Sequence, residues 1–347
     1  MQIAGKTVSR EHEPFIVAEM SGNHNQSLQR ALQLVEAAAE AGVHAVKLQT
    51  YTPETMTLDL ARDEFLVPAE NKLWGGRSLF DLYREAHTPW EWHERIFNRA
   101  GQLGLICFST PFDESAVEFL EDLGCACYKI ASFENIDLPL IRKAAGTGKP
   151  VIISSGMASL AELDEAVQAA RDSGCRDLAL LKCTSTYPAE PKNSNLATIA
   201  HMRELLGCET GLSDHTPGIG AAVASVALGA TIIEKHFTLS RGDGGPDAAF
   251  SLEPEEMRAL VAETRRAWQA LGKVSYGPQG EEKKSREFRR SLYIARDMQA
   301  GERLDRDSLR RVRPGLGLPP KYYDILLGKK INRDVKKGTP VEWELFD

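Results

Sequence analysis

The sequence lacks the patterns that identify several large classes of protein. Its six cysteines form no Cys-x-x-Cys pair, so we interpret them as reduced, buried side chains and not as metal or disulfide pairs. The longest weakly polar run, from Ile219 to Ile233, is too short and too rich in alanine and glycine to span a bilayer. The segment from Met1 to Lys6 lacks the apolar core of a signal peptide. These absences predict a cytoplasmic protein without membrane contact.

Two further absences concern the ligands. The sequence has no excess of positive charge: it contains 42 Lys and Arg residues and 49 Asp and Glu residues, which gives a net charge of −7. This balance argues against a nucleic-acid-binding surface, and an anionic substrate would need a local basic pocket. No Gly-x-Gly-x-x-Gly follows a predicted strand, which disfavours a doubly wound dinucleotide-binding sheet.

The chain does contain a regular alternation of apolar strand-like runs and amphipathic helical stretches. For example, strand Phe15–Ala18 precedes a helix over residues 28–41, whose apolar residues follow a helical period and stop at Gly42. Eight such units within residues 1–275 predict a TIM (β/α)8 barrel, with a doubly wound open sheet as the alternative. The predicted strands are Phe15–Ala18, Ala45–Leu48, Leu105–Phe108, Ala126–Lys129, Val151–Ile153, Leu178–Leu181, Glu209–Leu212 and Thr231–Ile233.

Other segments interrupt this alternation. Residues 50–87 are too long and irregular for a plain connection, which makes them a candidate active-site loop. Thr88-Pro-Trp-Glu91 and Ser159-Leu-Ala-Glu162 have the pattern of capping boxes at helix starts. Residues 276–288 are charged and contain glycine and proline, so we predict a linker there and a small, turn-rich second domain over 289–347.

Polar residues stand at the end of nearly every predicted strand. A TIM barrel brings all carboxyl strand ends to one rim, so these residues predict an active site there. Each of them taken singly is equally consistent with a helix cap or a loop residue. They are Glu19; Lys47 and Gln49; Ser109 and Thr110; Lys129, Ser132 and Glu134; Ser154 and Ser155; Thr184 and Ser185; Ser213, Asp214 and His215; and Glu234, Lys235 and His236.

The residue types suggest two kinds of chemistry. Cations and short hydroxyl donors suit a phosphate or carboxylate, and the set with this composition is Lys47, Lys129, Ser132, Ser154 and Ser213. Lys129 is alternatively a Schiff-base lysine. His215 and His236 end consecutive strands and could hold a divalent metal with open positions, unless they are hydrogen-bonded loop histidines. Asp214 and Glu234 are candidate further ligands or outer partners.

These motifs resemble those of the sialic acid synthase family, enzymes that make nonulosonic acids from phosphoenolpyruvate and a hexosamine. The resemblance covers the whole chain, and the tail around Arg313-Pro-Gly315 resembles the antifreeze-like (SAF) domain of the family. The matching segments are Phe15-Ile-Val-Ala-Glu19, Asn23-His-Asn25, Val46-Lys-Leu-Gln49, Phe108-Ser-Thr-Pro-Phe112, Tyr128-Lys-Ile-Ala-Ser-Phe-Glu134, Ser154-Ser-Gly-Met157, Cys183-Thr-Ser-Thr-Tyr-Pro188, Leu212-Ser-Asp-His215, Glu234-Lys-His-Phe-Thr238 and Gly245-Pro-Asp247.

Within the family, the chain looks most like the pseudaminic acid synthases. N-acetylneuraminate and legionaminate synthases more often have a pair ending in glycine where Met20-Ser21 stands, and glycine where Phe133 stands. The apolar Phe133 would suit a sugar with a methyl group at C6. The resemblance thus implies condensation of phosphoenolpyruvate with 2,4-diacetamido-2,4,6-trideoxy-L-altropyranose to give pseudaminic acid and phosphate. Synthesis of N-acetylneuraminate or legionaminate from another hexosamine, and a Schiff-base pyruvate lyase using Lys129, remain alternatives.

The resemblance also implies roles for individual residues. His215 and His236 would hold a divalent metal, Mn²⁺ in the first place and Mg²⁺ or Co²⁺ as alternatives, which binds the sugar aldehyde. Glu19 or Asp247 would position the water that adds to phosphoenolpyruvate, and Arg313 would reach the active site of the partner in a domain-swapped homodimer. Phosphoenolpyruvate would contact Lys47, Thr110, Lys129, Ser132, Ser154, Ser185 and Ser213, although many relatives have Asn in place of Ser185. The sugar would contact Glu19, Glu134, Tyr187, Asp247 and Arg313.

Overall fold

A closed barrel of parallel strands is the main feature of the computed structural model, which describes residues 1–71 and 73–346. The chain divides into two compact units, Met1–Gly272 and Lys273–Asp347, and the barrel lies in the first. Each barrel strand pairs in parallel with the next along the chain, and the last pairs with the first. The prediction of a TIM barrel is therefore confirmed. The strands are β1 (Phe15–Glu19), β2 (Ala45–Thr50), β3 (Ile106–Pro111), β4 (Tyr128–Ile130), β5 (Val151–Ser154), β6 (Leu178–Cys183), β7 (Glu209–Asp214) and β8 (Ile232–His236).

Most strands end later than predicted, because the sheet continues through the polar residues. Strand β8, for example, runs to His236, and Lys235 pairs with Asp214 of β7 in the sheet register. Successive side chains of a strand point to opposite faces, so Glu234 faces the barrel interior and Lys235 faces the surrounding helices. The polar groups stay in the ladder because on each face they pair with one another, Glu234 with Lys47 and Lys235 with Asp214. The apolar core lies between the barrel wall and the surrounding helices.

Helices follow the strands along the chain. The predicted helix limits at Gly42 and Ser159 agree with the structure, and the one at Thr88 does not. The helix of residues 28–41 ends at Gly42, whose φ of 83° suits glycine, and the capping box at Ser159 is present. The capping box predicted at Thr88 is wrong, since Pro89 is the N-cap and Thr88 instead contacts His24. The α-helices in the described residues are Leu28–Ala41, Pro53–Met56, Leu79–Ala86, Trp90–Gln102, Glu114–Asp122, Leu138–Ala145, Leu160–Asp172, Thr198–Leu206, Gly220–Ala227, Pro254–Leu271, Glu282–Ser285 and Tyr323–Leu326.

The second unit has a small core of its own. Antiparallel strands β9 (Ser291–Ile294) and β10 (Leu309–Val312) pack with the helix Tyr323–Leu326 around a separate apolar cluster. The predicted linker contains two short helical turns, Glu282–Ser285 and Arg286–Phe288. Across the described part of the chain, no helix has the length and apolar character needed to cross a membrane.

A fully buried ion pair joins the ends of β7 and β8. Lys235 Nζ lies 2.9 Å from Asp214 Oδ2, and the two side chains are 0% and 2% exposed. Asp214 also accepts a hydrogen bond from the Thr216 backbone N–H. The pair therefore connects the strand ends that carry His215 and His236.

We expect Lys235→Met to destabilise the barrel by about 3–5 kcal/mol, because it leaves Asp214 as a buried carboxylate without its cation. The free energy of unfolding, measured by urea titration, checks this. Lys143→Met is the matched control, since it breaks an ion pair with Glu118 on the surface and should have a much smaller effect. Equal losses in both variants would contradict the assigned importance of the buried pair.

Candidate active site at the carboxyl end of the barrel

The strand register brings the charged strand-end residues to one level. Glu19 of β1 lies opposite Lys47 of β2 on one side and His236 of β8 on the other. Glu234 of β8 lies opposite Ser213 of β7. These residues come from four different strands, and the closed barrel places their side chains in one buried volume.

Three of these side chains, on Lys47, Glu19 and Glu234, form a charged cluster with Lys129 of β4. Lys47 Nζ lies 3.0 Å from Glu19 Oε2 and 3.0 Å from Glu234 Oε1. Lys129 Nζ lies 3.8 Å from Glu234 Oε1, which also accepts a hydrogen bond from Ser213 Oγ at 3.0 Å. Thr110 Oγ1 accepts from Lys47 Nζ at 3.4 Å. All four charged side chains are buried, so they compensate one another away from water.

The two carboxyl groups of the cluster differ in acidity. Burial raises the pKa of Glu19 above its ordinary value, and Lys47 offsets this only in part. Burial acts on Glu234 too, but Lys129 and Lys47 together hold the pKa of Glu234 below its ordinary value. Glu19 Oε1 is buried and has no hydrogen-bond partner among the described residues. Glu19 is thus the carboxyl group of the cluster that most readily holds a proton.

A hydroxyl-lined recess adjoins Lys129. Burial lowers the pKa of Lys129 to about 8, and its Nζ donates a hydrogen bond to Ser154 Oγ at 2.6 Å. The Ser132 hydroxyl accepts from the Gly156 backbone N–H at 3.1 Å. A Cβ at Gly156 would lie 2.1 Å from Ser185 Oγ and 2.5 Å from Ser132 Oγ, so only glycine lets both hydroxyls approach this backbone. An anion in this recess could contact the Lys129 ammonium group, the serine hydroxyls and the backbone near Gly156.

The two predicted histidines are neighbours at the same end of the barrel. The ring centroids of His215 and His236 are 5.3 Å apart, and both side chains are buried. His215 Nδ1 lies 3.1 Å from the Thr184 carbonyl, which the Nδ1–H tautomer would satisfy, leaving Nε2 with its lone pair. Burial lowers the pKa of His236 well below its ordinary value, and its buried Nδ1 has no partner among the described residues.

Against the effect of burial, Cys183 raises the pKa of His215. A divalent cation would bind the lone pairs of both imidazoles and displace a proton held by His215. Within residues 1–71 and 73–346, no group of three or more His, Cys, Asp or Glu side chains is arranged to hold a metal ion. The donor set therefore fits a cation that takes two ligands from the protein and leaves its other positions to substrate or water.

A cavity of about 260 Å³ opens beside His236, and much of its wall is aromatic. Several wall residues lie within residues 50–87, the candidate active-site loop, which the structure shows to contain the helices Pro53–Met56 and Leu79–Ala86. Glu134 lies on this wall, and burial raises its pKa to about 7. The wall consists of Ser21, Gln49, Tyr51, Met56, Trp74, Leu82, Tyr83, Ala86, Phe112, Ala131, Phe133, Glu134, Tyr187, His236, Pro246 and Asp247.

Several wall residues were missed by sequence reasoning. Trp74 donates its indole N–H to the Pro246 carbonyl at 3.0 Å, and the Ser21 hydroxyl donates to Asp247 Oδ2. Tyr83 belongs to the same wall. Ser21 and Trp74 follow no apolar period, so only the three-dimensional contacts reveal them. Tyr83 lies in the amphipathic helix Leu79–Ala86, a signal that was available in the stretch interpreted as irregular. Arg313 lies exposed in the second unit, and its predicted role stays a prediction.

Barrels of this architecture carry active sites at the carboxyl ends of their strands, where the charged cluster, the recess and the two histidines of this chain lie. The chain belongs to the NeuB family, whose model matches residues 34–276, and is therefore an enzyme. An SAF domain matches residues 289–347. The resemblance to the sialic acid synthases and the antifreeze-like nature of the second domain are thereby confirmed.

Individual relatives cover nearly the whole chain. It is 43% identical over 330 residues to a pseudaminic acid synthase of Helicobacter pylori, covering 94% of this chain and 96% of that protein. It is 34% identical to an N,N'-diacetyllegionaminic acid synthase of Legionella pneumophila, covering 95% and 94%. A solved N-acetylneuraminic acid synthetase of Leptospira borgpetersenii, in complex with citrate, is similar with a TM-score of 0.73 and 30% identity, covering 82% of this chain and 94% of that one.

Proposed function

We propose that this chain condenses phosphoenolpyruvate with 2,4-diacetamido-2,4,6-trideoxy-L-altropyranose, giving pseudaminic acid and phosphate. The observation that carries the proposal is the 43% identity, over nearly full length, to the Helicobacter pylori pseudaminic acid synthase. Identity to the Legionella pneumophila legionaminic acid enzyme is lower, at 34%. The arrangement of a cationic recess beside a cavity with aromatic walls agrees with one anionic and one partly apolar substrate.

Phosphoenolpyruvate would bind in the recess. Lys47 and Lys129 would face its negative groups, and the short hydroxyls would donate to phosphate and carboxylate oxygens. The hydroxyl donors in this proposal are Thr110, Ser132, Ser154, Ser185 and Ser213. Lys129 acts here as a cation, which agrees with its hydrogen bond to Ser154 at 2.6 Å.

The sugar would occupy the adjoining cavity, between Glu134, Tyr187 and Asp247. Phe133 lies on the cavity wall and is 59% exposed, so its ring is available to a ligand. A methyl group at C6 would gain apolar contact there, whereas a hydroxyl would lose hydration without a new partner. This supports a 6-deoxy sugar over its hydroxylated counterparts.

His215 and His236 would hold the divalent metal, for which we propose Mn²⁺, with Mg²⁺ or Co²⁺ as alternatives. Such a cation supplies a Lewis acid for the carbonyl oxygen of the open-chain sugar. C3 of phosphoenolpyruvate forms the new carbon–carbon bond with the aldehyde carbon, the aldehyde oxygen takes up a proton and becomes a hydroxyl, and water adds at C2. Glu19 or Asp247 would take the proton of that water. Phosphate then leaves by cleavage of its C–O bond.

The assembly and location of the enzyme also belong to the proposal. We infer a domain-swapped homodimer, in which Arg313 of one protomer reaches the sugar of the other, and a cytoplasmic enzyme without nucleic-acid or membrane partners. The domain limits 1–275, 276–288 and 289–347 stay predictions of the same kind.

The substrate proposal predicts one preferred aldose. Purified enzyme with phosphoenolpyruvate and Mn²⁺ should convert the L-altro sugar to a product whose mass equals that of pseudaminic acid, and release one phosphate per product. N-acetylmannosamine and the 2,4-diacetamido-trideoxy sugar with the manno configuration, in parallel reactions, should react at least about tenfold more slowly, as expected for loss of one specific contact. Mass spectrometry of the products checks this.

The alternatives predict different outcomes of the same assay. Faster conversion of either control sugar would favour an N-acetylneuraminate or legionaminate synthase. The lyase alternative draws support from the lowered pKa of Lys129, about 8, which favours a nucleophilic amine. Borohydride added to the reaction would then label Lys129 covalently, whereas the proposed condensation leaves the lysine unmodified.

Gly156→Ala should weaken phosphoenolpyruvate binding by at least about tenfold, because the new methyl group displaces the Ser132 and Ser185 hydroxyls. Isothermal titration with phosphoenolpyruvate measures this. The control is Gly101→Ala, in the helix Trp90–Gln102, where a Cβ meets nothing within 4 Å. If Gly156→Ala bound phosphoenolpyruvate as tightly as wild type, the proposal that phosphoenolpyruvate occupies the recess would be wrong.

His236→Ala should weaken Mn²⁺ binding by at least about 100-fold, since loss of a direct ligand should exceed the 10- to 100-fold effect typical of outer partners. Titration of metal-free enzyme with Mn²⁺, followed by electron paramagnetic resonance, measures the affinity independently of turnover. His201→Ala changes an exposed helix residue and is the control. Wild-type Mn²⁺ affinity in His236→Ala, or normal turnover of metal-stripped enzyme, would contradict the metal site.

A further inference from the structure

Ser21 has a backbone conformation that serine ordinarily avoids. It follows β1 at the mouth of the barrel, is 2% exposed, and has a φ of +47°. Glycine adopts this left-handed region without strain, whereas a side chain there is crowded by its own backbone. A strained residue at the wall of a site indicates that its side chain contributes something that glycine would not.

The contribution visible in the structure is a hydrogen bond to Asp247. The Ser21 hydroxyl donates to Asp247 Oδ2, across 226 positions of sequence. Ser21 and Asp247 both line the cavity beside His236. A directed hydrogen bond to one carboxylate oxygen restricts how the carboxylate can rotate.

Other residues hold the backbone of the turn that carries Asp247. Asn25 Nδ2 donates to the Gly244 carbonyl at 3.2 Å, and Trp74 donates to the Pro246 carbonyl at 3.0 Å. Ser251 Oγ donates to the backbone carbonyl of Asp247 at 2.7 Å. The turn therefore has its own attachments, and the Ser21 hydroxyl acts on the carboxylate alone.

We propose that Ser21 is a positioning residue, whose hydroxyl holds the Asp247 carboxylate in the orientation that faces the sugar. This inference rests on the proposed function in so far as Asp247 contacts the sugar. In this proposal Ser21 contributes to recognition of the sugar through Asp247. Other residues bind phosphoenolpyruvate and the metal.

Two substitutions separate the hydroxyl from the strain. Ser21→Ala removes the hydroxyl and keeps the strain, whereas Ser21→Gly removes both. Each should lower kcat/KM for the sugar by about 10- to 100-fold, the range expected for a hydrogen bond to a charged group. Phosphoenolpyruvate and Mn²⁺ affinities, measured without sugar, should stay within about twofold of wild type, since the inference leaves their binding residues untouched.

Ala4→Gly is the matched control, because Ala4 has the same φ of +47° and does not line the cavity. Ala4 lies in the turn between two short antiparallel strands, Gln2–Ile3 and Lys6–Thr7. The substitution should relieve comparable strain without changing sugar kinetics. Ser21→Gly should be at least as resistant to thermal unfolding as wild type. In an Asp247→Ala background, Ser21→Gly should have less than about a twofold further effect, since the hydroxyl then has no carboxylate to hold.

Three results would overturn the inference: unchanged sugar kinetics in Ser21→Gly, an equal fall in phosphoenolpyruvate affinity, or additive effects in the Asp247→Ala background. If the wild-type enzyme condensed none of the sugars offered, the proposed function would fail separately. Crystal structures of wild type and Ser21→Gly would then decide the positioning role. A carboxylate that turns in the variant would support it, and one that stays in place would refute it.

Discussion

The geometry of the site depends on the pairing of four buried charges. They are carried by Lys47, Lys129, Glu19 and Glu234. A single one of these groups, buried without a partner, would destabilise the fold by several kcal/mol (about 3–5 in comparable cases). Lys47 avoids this by lying 3.0 Å from two carboxylates contributed by different strands. A register shift of one residue in β1, β2 or β8 would turn a partner away from the interior. Barrel closure and charge pairing therefore require each other.

The same cluster determines what the site can receive. Its lysines are already compensated, so an incoming anion must compete with Glu19 and Glu234. The two carboxyl groups are unequal, because the pKa of Glu19 is raised and that of Glu234 is lowered. Protonation of Glu19 releases positive charge on Lys47 at less cost than protonation of an ordinary carboxylate. With all four groups ionised the cluster is neutral, and uptake of one proton by Glu19 makes it cationic, which suits an anionic ligand.

Sequence reasoning predicted the repeated strands and helices of the barrel. It missed the features that depend on one contact between residues far apart in the chain. Apolar runs ending in polar residues predicted the barrel, because parallel strands bring their ends to one rim, and the lysines and histidines do meet there. The capping box at Thr88 failed because its hydroxyl contacts His24, a partner that no local pattern reveals. The contact between Ser21 and Asp247 spans 226 positions and was invisible for the same reason.

The two halves of the site are subject to different constraints. The cationic half is made of strand residues, so changing one disturbs both the register and the buried charges around it. The aromatic half is made largely of residues between strands, such as Trp74, Tyr83 and Phe133, which can change without reopening the barrel. Relatives named for three different sugar acids are 43%, 34% and 30% identical to this chain. A substitution on the aromatic wall would therefore alter the fit of a sugar without disturbing the paired charges of the cationic half.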